Sequence, residues 1–187
     1  MGYHGIIRIY KFNDCSKIRK LSQTTMIKDE FNPQSAIDVA IDIIEPEHQS
    51  VPVIFTSPHS GRDYPADFLA QSRLDPLTLR SSEDAFVEEL FAGVTGLGAP
   101  LLSARFPRVY VDVNRQPLEL DPAMFEGALP DRIDSNTLRV RAGIGTIARV
   151  VNNDQEIYNT KLLYRDIQTR LEKCYFPYHQ ALQNLID

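Results

Sequence analysis

The chain has 187 residues, 20 basic and 25 acidic side chains, a formal net charge of −5 and 43% hydrophobic residues. That length suits one domain or slightly more around a real core, and an acidic balance without a basic, aromatic-laced stripe argues against a nucleic-acid binder. No apolar run is long enough to span a bilayer, and two cysteines, Cys15 and Cys174, are too few for a disulfide framework, which makes a reducing cytoplasm the default expectation.

Residues 1–25 differ from the rest. They carry five basic residues and one acid, Asp14 (net +4), leaving 15 basic and 24 acidic residues (net −9) for residues 26–187. The stretch lacks the apolar centre of a signal peptide. Its scarcity of acids would suit a transit peptide, but the plainer expectation is a disordered extension with no folding role, with Met26 as an alternative start. Residues 26–187 then form the folded domain.

Beyond it the pattern alternates between strand and helix. Ile37, Val39, Ile41 and Ile43 recur at every second position, which predicts a half-buried strand. Glu45 to Ser50 reads as a loop. Val51 to Thr56 is mostly apolar, as for a strand covered on both faces. From Ser82 the apolar residues Phe86, Val87, Leu90, Phe91, Val94 and Leu97 fall at helical spacing. Ser81, three residues before Asp84, resembles a capping box, and Gly98 is a plausible stop. Leu101 to Ala104 and Val109 to Val113 read as strands. Residues 116–136, rich in Pro, Asp and Gly, read as a long functional loop. Glu156 to about Tyr175 has helical spacing, and Pro177 should kink or restart that helix. There is no Cys-x-x-Cys, Gly-x-Gly-x-x-Gly or Walker loop, so nucleotide chemistry has no motif to rest on.

Three stretches carry candidate chemistry. In "VIFTSPHSGRDYP" (residues 53–65) an apolar strand gives way to a polar turn with one histidine, His59. Sites in open α/β sheets form just past the carboxyl ends of strands, where a neutral imidazole can bind a metal or move a proton. A lone histidine is nevertheless more often structural. In "SSEDAFVEEL", Asp84 opens the expected helix. Capping and a dipole interaction of ~0.3–1 kcal/mol explain it, and Glu83, adequately, yet a histidine and a carboxylate from separate elements also begin a zinc site. In "FPRVYVDVNRQP" a strand runs into Asn114-Arg115. An arginine there needs a charge partner. This is either an internal acid or a ligand carboxylate, which a planar guanidinium holds by paired hydrogen bonds.

The blocks "SPHSGRDYP", "EDAFVEELF", "RVYVDVNR" and "FPYHQAL" together resemble the N-formylglutamate amidohydrolase (N-formylglutamate deformylase) family, in order and spacing, from about Pro33 onward. The resemblance implies an α/β fold with a three-layer α/β/α architecture around a mixed sheet, akin to the phosphorylase/hydrolase-like zinc carboxypeptidase and aspartoacylase group. It implies hydrolysis of N-formyl-L-glutamate to formate and glutamate in histidine breakdown, with a small acidic N-acyl amino acid as partner, no nucleic acid or membrane partner, and zinc as cofactor. His59 matches the histidine of a Pro-His-x-Gly turn, a zinc ligand. Asp84 matches the second ligand, with Glu83 the weaker choice. Asn114 and Arg115 match a pair that grips a substrate carboxylate, with Arg108 assisting. Ser60, Glu83 and His179 are candidates for a supporting shell. Family members continue past the position of Asp187, through an Asp-x-His-Ser segment that would supply another histidine, and the resemblance places the general base in that continuation, beyond Asp187. The chain therefore reads as the amino-terminal two-thirds of such an enzyme, and a catalytically inactive remnant that binds acidic ligands is the alternative. An aspartoacylase-like or succinylglutamate-directed activity is a lesser rival, because that branch shows His-x-x-Glu where this chain has Arg62.

Overall fold

The computed structural model describes residues 8–11, 32–34 and 37–187. Its strands are β1 (Arg8–Lys11), β2 (Asn32–Gln34), β3 (Ile41–Ile44), β4 (Val53–Ser57), β5 (Asp63–Pro65), β6 (Leu101–Ala104), β7 (Phe125–Glu126), β8 (Val150–Val151), β9 (Gln155–Glu156) and β10 (Leu162–Leu163). Its α-helices are α1 (Ala66–Gln71), α2 (Pro76–Arg80), α3 (Val87–Leu90), α4 (Leu138–Arg141), α5 (Tyr164–Arg170) and α6 (Phe176–Ile186). The largest sheet is mixed, in the order β1-β4-β6-β3. Strands β4 and β6 run parallel at its centre, with β1 antiparallel to β4 and β3 antiparallel to β6. The remaining strands form three small two-stranded pairs. Of the amino-terminal stretch expected to be an extension, Arg8–Lys11 thus has a place in the sheet, and the rest of residues 1–25 lies outside the described residues.

The central strands behave as their sequence predicts. Leu101, Leu102, Ser103 and Ala104 are all buried, and β4 buries Ile54, Thr56 and Ser57. The outer strand does not. Of the expected 37–43 span only residues 41–43 are strand, in an element that runs Ile41–Ile44, and Ile43 and Ile44 are exposed. The reason is its position: β3 has β6 as its single neighbour, and the short β6 sets how much of it can pair.

Three further expectations change for physical reasons. The helix expected from Ser82 to Leu97 is broken into α3 and a 3-10 segment, Ala92–Leu97, closed by Gly98 in the left-handed region. The Asp84 amide N–H donates to the His59 carbonyl at 3.0 Å, so residues 82–86 are tied to the His59 turn and cannot wind, and Phe86 takes φ 63°. Ser81 therefore ends α2 instead of opening a helix, its hydroxyl donating to the Thr78 carbonyl. Val109 to Val113 is buried but is not a strand. Its backbone turns, with the Asp112 amide donating to Thr146 and the Arg115 amide to Asp112. The last helix starts at Tyr164, not Glu156, and passes from α5 through a π turn (Leu171–Tyr175) into α6, with Asp187 as its carboxyl-terminal cap. Phe176 donates to Leu171 across five residues there. Pro177, which has no N–H to give, is the second residue after that wider turn.

One buried cation ties these pieces together. Arg170 is 3% exposed and lies 4.4 Å from the centre of the Tyr110 ring, with Phe68 and Tyr158 also within cation–π range. It donates to the Tyr110 carbonyl, the Tyr158 hydroxyl and Gln71 Oε1. Through it α5 is fixed to α1 and to the turning segment that carries Asp112. Among the described residues no helix is long and apolar enough to cross a membrane.

The His59 turn is packed backbone to backbone. A Cβ on Gly61 would collide with the Phe106 carbonyl oxygen and the Arg105 carbonyl carbon. Gly61→Ala should destabilise the chain by about 1–3 kcal/mol, as overpacking of a rigid site does, whereas Gly96→Ala, where nothing lies within 4 Å, should be neutral or slightly stabilising. Urea unfolding of both variants checks this, and equal midpoints would mean that the turn yields freely.

Candidate functional site

The turn after β4 delivers His59 into a fully buried position. Its two ring nitrogens face two carboxylates. Nε2 lies 2.8 Å from Asp112 Oδ1, and Nδ1 lies 3.3 Å from Asp84 Oδ2. Asp84 is held in place by its backbone N–H donating to the His59 carbonyl, so the turn and the acid position each other. Asp112 comes from the buried segment before Asn114, whose own amide N–H donates to Asp112 Oδ1 at 2.8 Å.

Two arginines complete the cluster. Arg108 Nη2 donates to Asp112 Oδ2 at 3.1 Å, and its Nη1 lies 3.9 Å from Asp84 Oδ1, so it spans both acids. Arg115 approaches Asp112 Oδ2 at 3.5 Å. Its Nε donates to the Ile144 carbonyl and its Nη1 to the Asn114 carbonyl. Those bonds engage two of five guanidinium N–H groups. The Arg115 side chain is 7% exposed and that of Arg108 is 21%, so Arg108 lines the more open side.

The charges decide the protonation pattern. Burial works to raise the Asp112 carboxyl, but the His59 ring and its hydrogen bond, with Arg108 and Arg115, hold it well below the usual carboxylate range. An ionised Asp112 only accepts hydrogen bonds, so the proton between the pair sits on His59 Nε2. That leaves Nδ1 facing an oxygen of Asp84. Two arrangements satisfy that face: a proton on Nδ1, or a cation shared by Nδ1 and Asp84. Nδ1 and Oδ2 are 3.3 Å apart, which a direct hydrogen bond spans and which two ligands each ~2.0–2.1 Å from a tetrahedral zinc would also show. Asp112 would then be the carboxylate that orients a ligating histidine through its other nitrogen. It sits on the far side of the ring from Asp84, and among the described residues no group of three or more His, Cys, Asp or Glu side chains is arranged to hold a metal ion.

The model of the N-formylglutamate amidohydrolase family matches residues 51–187. The chain belongs to the N-formylglutamate amidohydrolase family. Among solved structures it is similar to the N-formylglutamate amidohydrolase from Ralstonia eutropha JMP134, at 38% identity and a TM-score of 0.73, over 79% of this chain and 51% of that one. The chain thus spans about half the length of that relative. No curated protein matches it.

In this member of the N-formylglutamate amidohydrolase family, the candidate residues separate into two groups. His59, Asp84, Arg108 and Arg115 converge, and Asn114 joins them through its backbone. Glu83 turns away: it accepts from the Tyr64 hydroxyl at 2.7 Å and pairs with Arg80. Ser60 bonds Ser57 within the turn. His179 Nε2 donates to the Val113 carbonyl at 2.9 Å, which places it behind the Asn114-Arg115 segment. Arg62, where the rival branch has a glutamate, pairs with Glu88 and Glu89. The general base expected beyond Asp187 lies outside the described residues. Asp187 itself is engaged at the end of α6, where its Oδ1 accepts from Gln183 Nε2 at 2.8 Å. Sequence reading missed Asp112, the acid at the centre of the cluster. The available signal was its position, an aspartate between Val111 and Val113 in a block that otherwise reads as core.

Replacing Asp112 with asparagine should remove the partner of a buried histidine and two arginines, at a cost of about 3 kcal/mol. The pH dependence has a definite sign. A carboxyl held below its ordinary 3.8 contributes stability that is complete above that value and is lost as pH falls towards the folded one. The gap between wild type and Asp112→Asn should therefore be full at pH 6–7 and shrink below about pH 4. Urea unfolding across that range, with a chelator present, measures it, and a gap independent of pH would mean that Asp112 is not ionised in the fold.

Proposed function

We propose that the chain hydrolyses the amide bond of N-formyl-L-glutamate, or of a closely related N-acyl acidic amino acid, giving formate and the free amino acid. Family membership and the solved relative support this reaction class. The observation that carries the reading is the buried His59 ring, with Asp112 fixing one nitrogen and Asp84 lying at ligand spacing from the other. We read the sheet and its helices as part of the three-layer α/β/α fold of the zinc carboxypeptidase and aspartoacylase group.

His59 Nδ1 and Asp84 Oδ2 are the atoms that would hold zinc. When bound, that metal lowers the pKa of a coordinated water to about 7, making hydroxide available at neutral pH. Asp112 keeps the Nε2 proton on His59 and so keeps the Nδ1 lone pair aimed at Asp84. The arginines supply the specificity. Burial weakens the hold of Arg115 on its proton, Asp112 opposes this and Arg108 reinforces it. An acidic substrate would bring a further negative charge to Arg115. Its carboxylate would take the Arg115 N–H groups not engaged by Ile144 and Asn114, and that anchoring would fix the formyl amide over His59 and Asp84. Arg108, already spanning Asp84 and Asp112, is a donor for charge that develops on the amide oxygen.

The test is metal content, binding and hydrolysis with the purified chain. It should take up zinc stoichiometrically and release formate from N-formyl-L-glutamate, and His59→Ala and Asp84→Ala should each lose metal and turnover together. Arg115→Ala should keep zinc but lose the ~1.5–3 kcal/mol of a charge-assisted contact, about 10- to 150-fold in kcat/KM. Discrimination against N-formylglutamine should disappear in that variant. Full zinc occupancy in Asp84→Ala would overturn the ligand assignment, and binding of N-formylglutamate without turnover would favour a ligand-binding remnant over an enzyme.

A further inference from the structure

The carboxyl-terminal helix meets the Asn114-Arg115 segment at two backbone carbonyls. The Tyr175 hydroxyl donates to the Arg115 carbonyl at 2.7 Å, and His179 Nε2 donates to the Val113 carbonyl at 2.9 Å. The two side chains are four residues apart, and their rings pack with centroids 4.5 Å apart. Each fixes the other's orientation, and together they bracket Asn114. The Nε of Arg115 meanwhile donates to the Ile144 carbonyl. The segment is therefore held both through its backbone carbonyls and through its guanidinium.

The π turn explains how one helix manages this. In an uninterrupted α-helix a stripe at every fourth residue drifts by about 40° per step. Ile167, Leu171, Tyr175 and His179 are such a stripe, and Ile167, Leu171 and Tyr175 are buried. The wider turn over Leu171–Tyr175 takes up part of the drift. It keeps Tyr175 and His179 above the 113–115 backbone while Ile167 and Leu171 stay in the core. Such turns cost hydrogen-bond geometry and are concentrated near functional sites.

We infer that Tyr175 and His179 are positioning residues for the carboxylate-holding Arg115, presented by the π turn, and that neither touches substrate. This rests on the reading of Arg115 given above. Each carbonyl contact fixes one end of a three-residue span, so losing either lets the Arg115 backbone shift; the contacts of His59 with Asp84 and Asp112 lie outside that span and are kept, while the contacts of Asp112 to Asn114 and Arg115 loosen with it. The defect should therefore fall on substrate binding and not on metal binding.

The experiment compares wild type with Tyr175→Phe, His179→Leu and His179→Gln, using two independent readouts. Hydrogen exchange by mass spectrometry should show faster exchange in peptides covering residues 112–116 in Tyr175→Phe and His179→Leu, with the peptide over β4 unchanged. Steady-state kinetics should show KM for N-formyl-L-glutamate raised at least about fivefold, with kcat changed less than twofold and zinc content intact. His179→Gln, which keeps an N–H donor, should recover most of the loss. In an Arg115→Ala background, Tyr175→Phe should add nothing further to KM, because the residue it positions is gone. Unchanged exchange at 112–116, an equal fall in kcat, or full additivity with Arg115→Ala would each overturn the inference. If wild type neither binds nor hydrolyses N-formylglutamate, the functional reading fails, and the role in positioning Arg115 for that substrate falls with it. The exchange data would still show whether the two contacts hold the segment.

Discussion

The His59 ring is completely shielded from solvent and faces a carboxylate on each side. A buried pair of this kind is costly unless every remaining lone pair and proton is satisfied, and the surrounding structure is arranged to meet that condition. Asp112 accepts from His59, from the Asn114 amide and from Arg108, with Arg115 close by. Its geometry then requires residues 109–115 to turn instead of extending as a strand. Asp84 is brought in by donating its own amide to the His59 carbonyl, which requires the following helix to break. Both departures from regular structure trace to the same residue, one to its ring and one to its backbone carbonyl.

The scaffold behind the cluster is correspondingly stiff. Gly61 lets the turn lie directly on the Arg105-Phe106 backbone. Arg170, enclosed by Tyr110, Phe68 and Tyr158, fixes the segment before Asp112 to α1 and α5. Polar groups on rigid, satisfied supports lose little entropy when a ligand arrives. The two arginines differ in this respect: Arg115 is almost enclosed, whereas Arg108 retains more exposure and bridges both acids.

Sharing a family and about half the length of a solved relative gives these contacts a context. His59, Asp84, Asp112, Arg108 and Arg115 all fall within residues 51–187, the matched region. The strand Arg8–Lys11 falls outside it yet pairs with β4, the strand that ends at the His59 turn.

The sequence by itself determined the local features that depend on residue type at short range. The buried strands β4 and β6 were legible from their apolar runs, and the Gly98 stop from its lack of a side chain. His59 and Asp84 were legible as a histidine and an acid from separate elements that could meet, and Arg115 as a charge in need of a partner, because burying such groups is unfavourable without one. Only the tertiary structure decided what each of them meets. Asp112 sits between two valines and reads as core, and its partners come from 53 residues upstream and from the turn it forms itself. The helical spacing after Ser82 was genuine, but a long-range hydrogen bond from Asp84 to His59 outweighed it. Periodicity records which face is apolar and cannot record a single distant contact. For the same reason His179 could be recognised as notable from sequence, while its task of holding the Val113 carbonyl emerged only once a π turn had set the phase of the last helix.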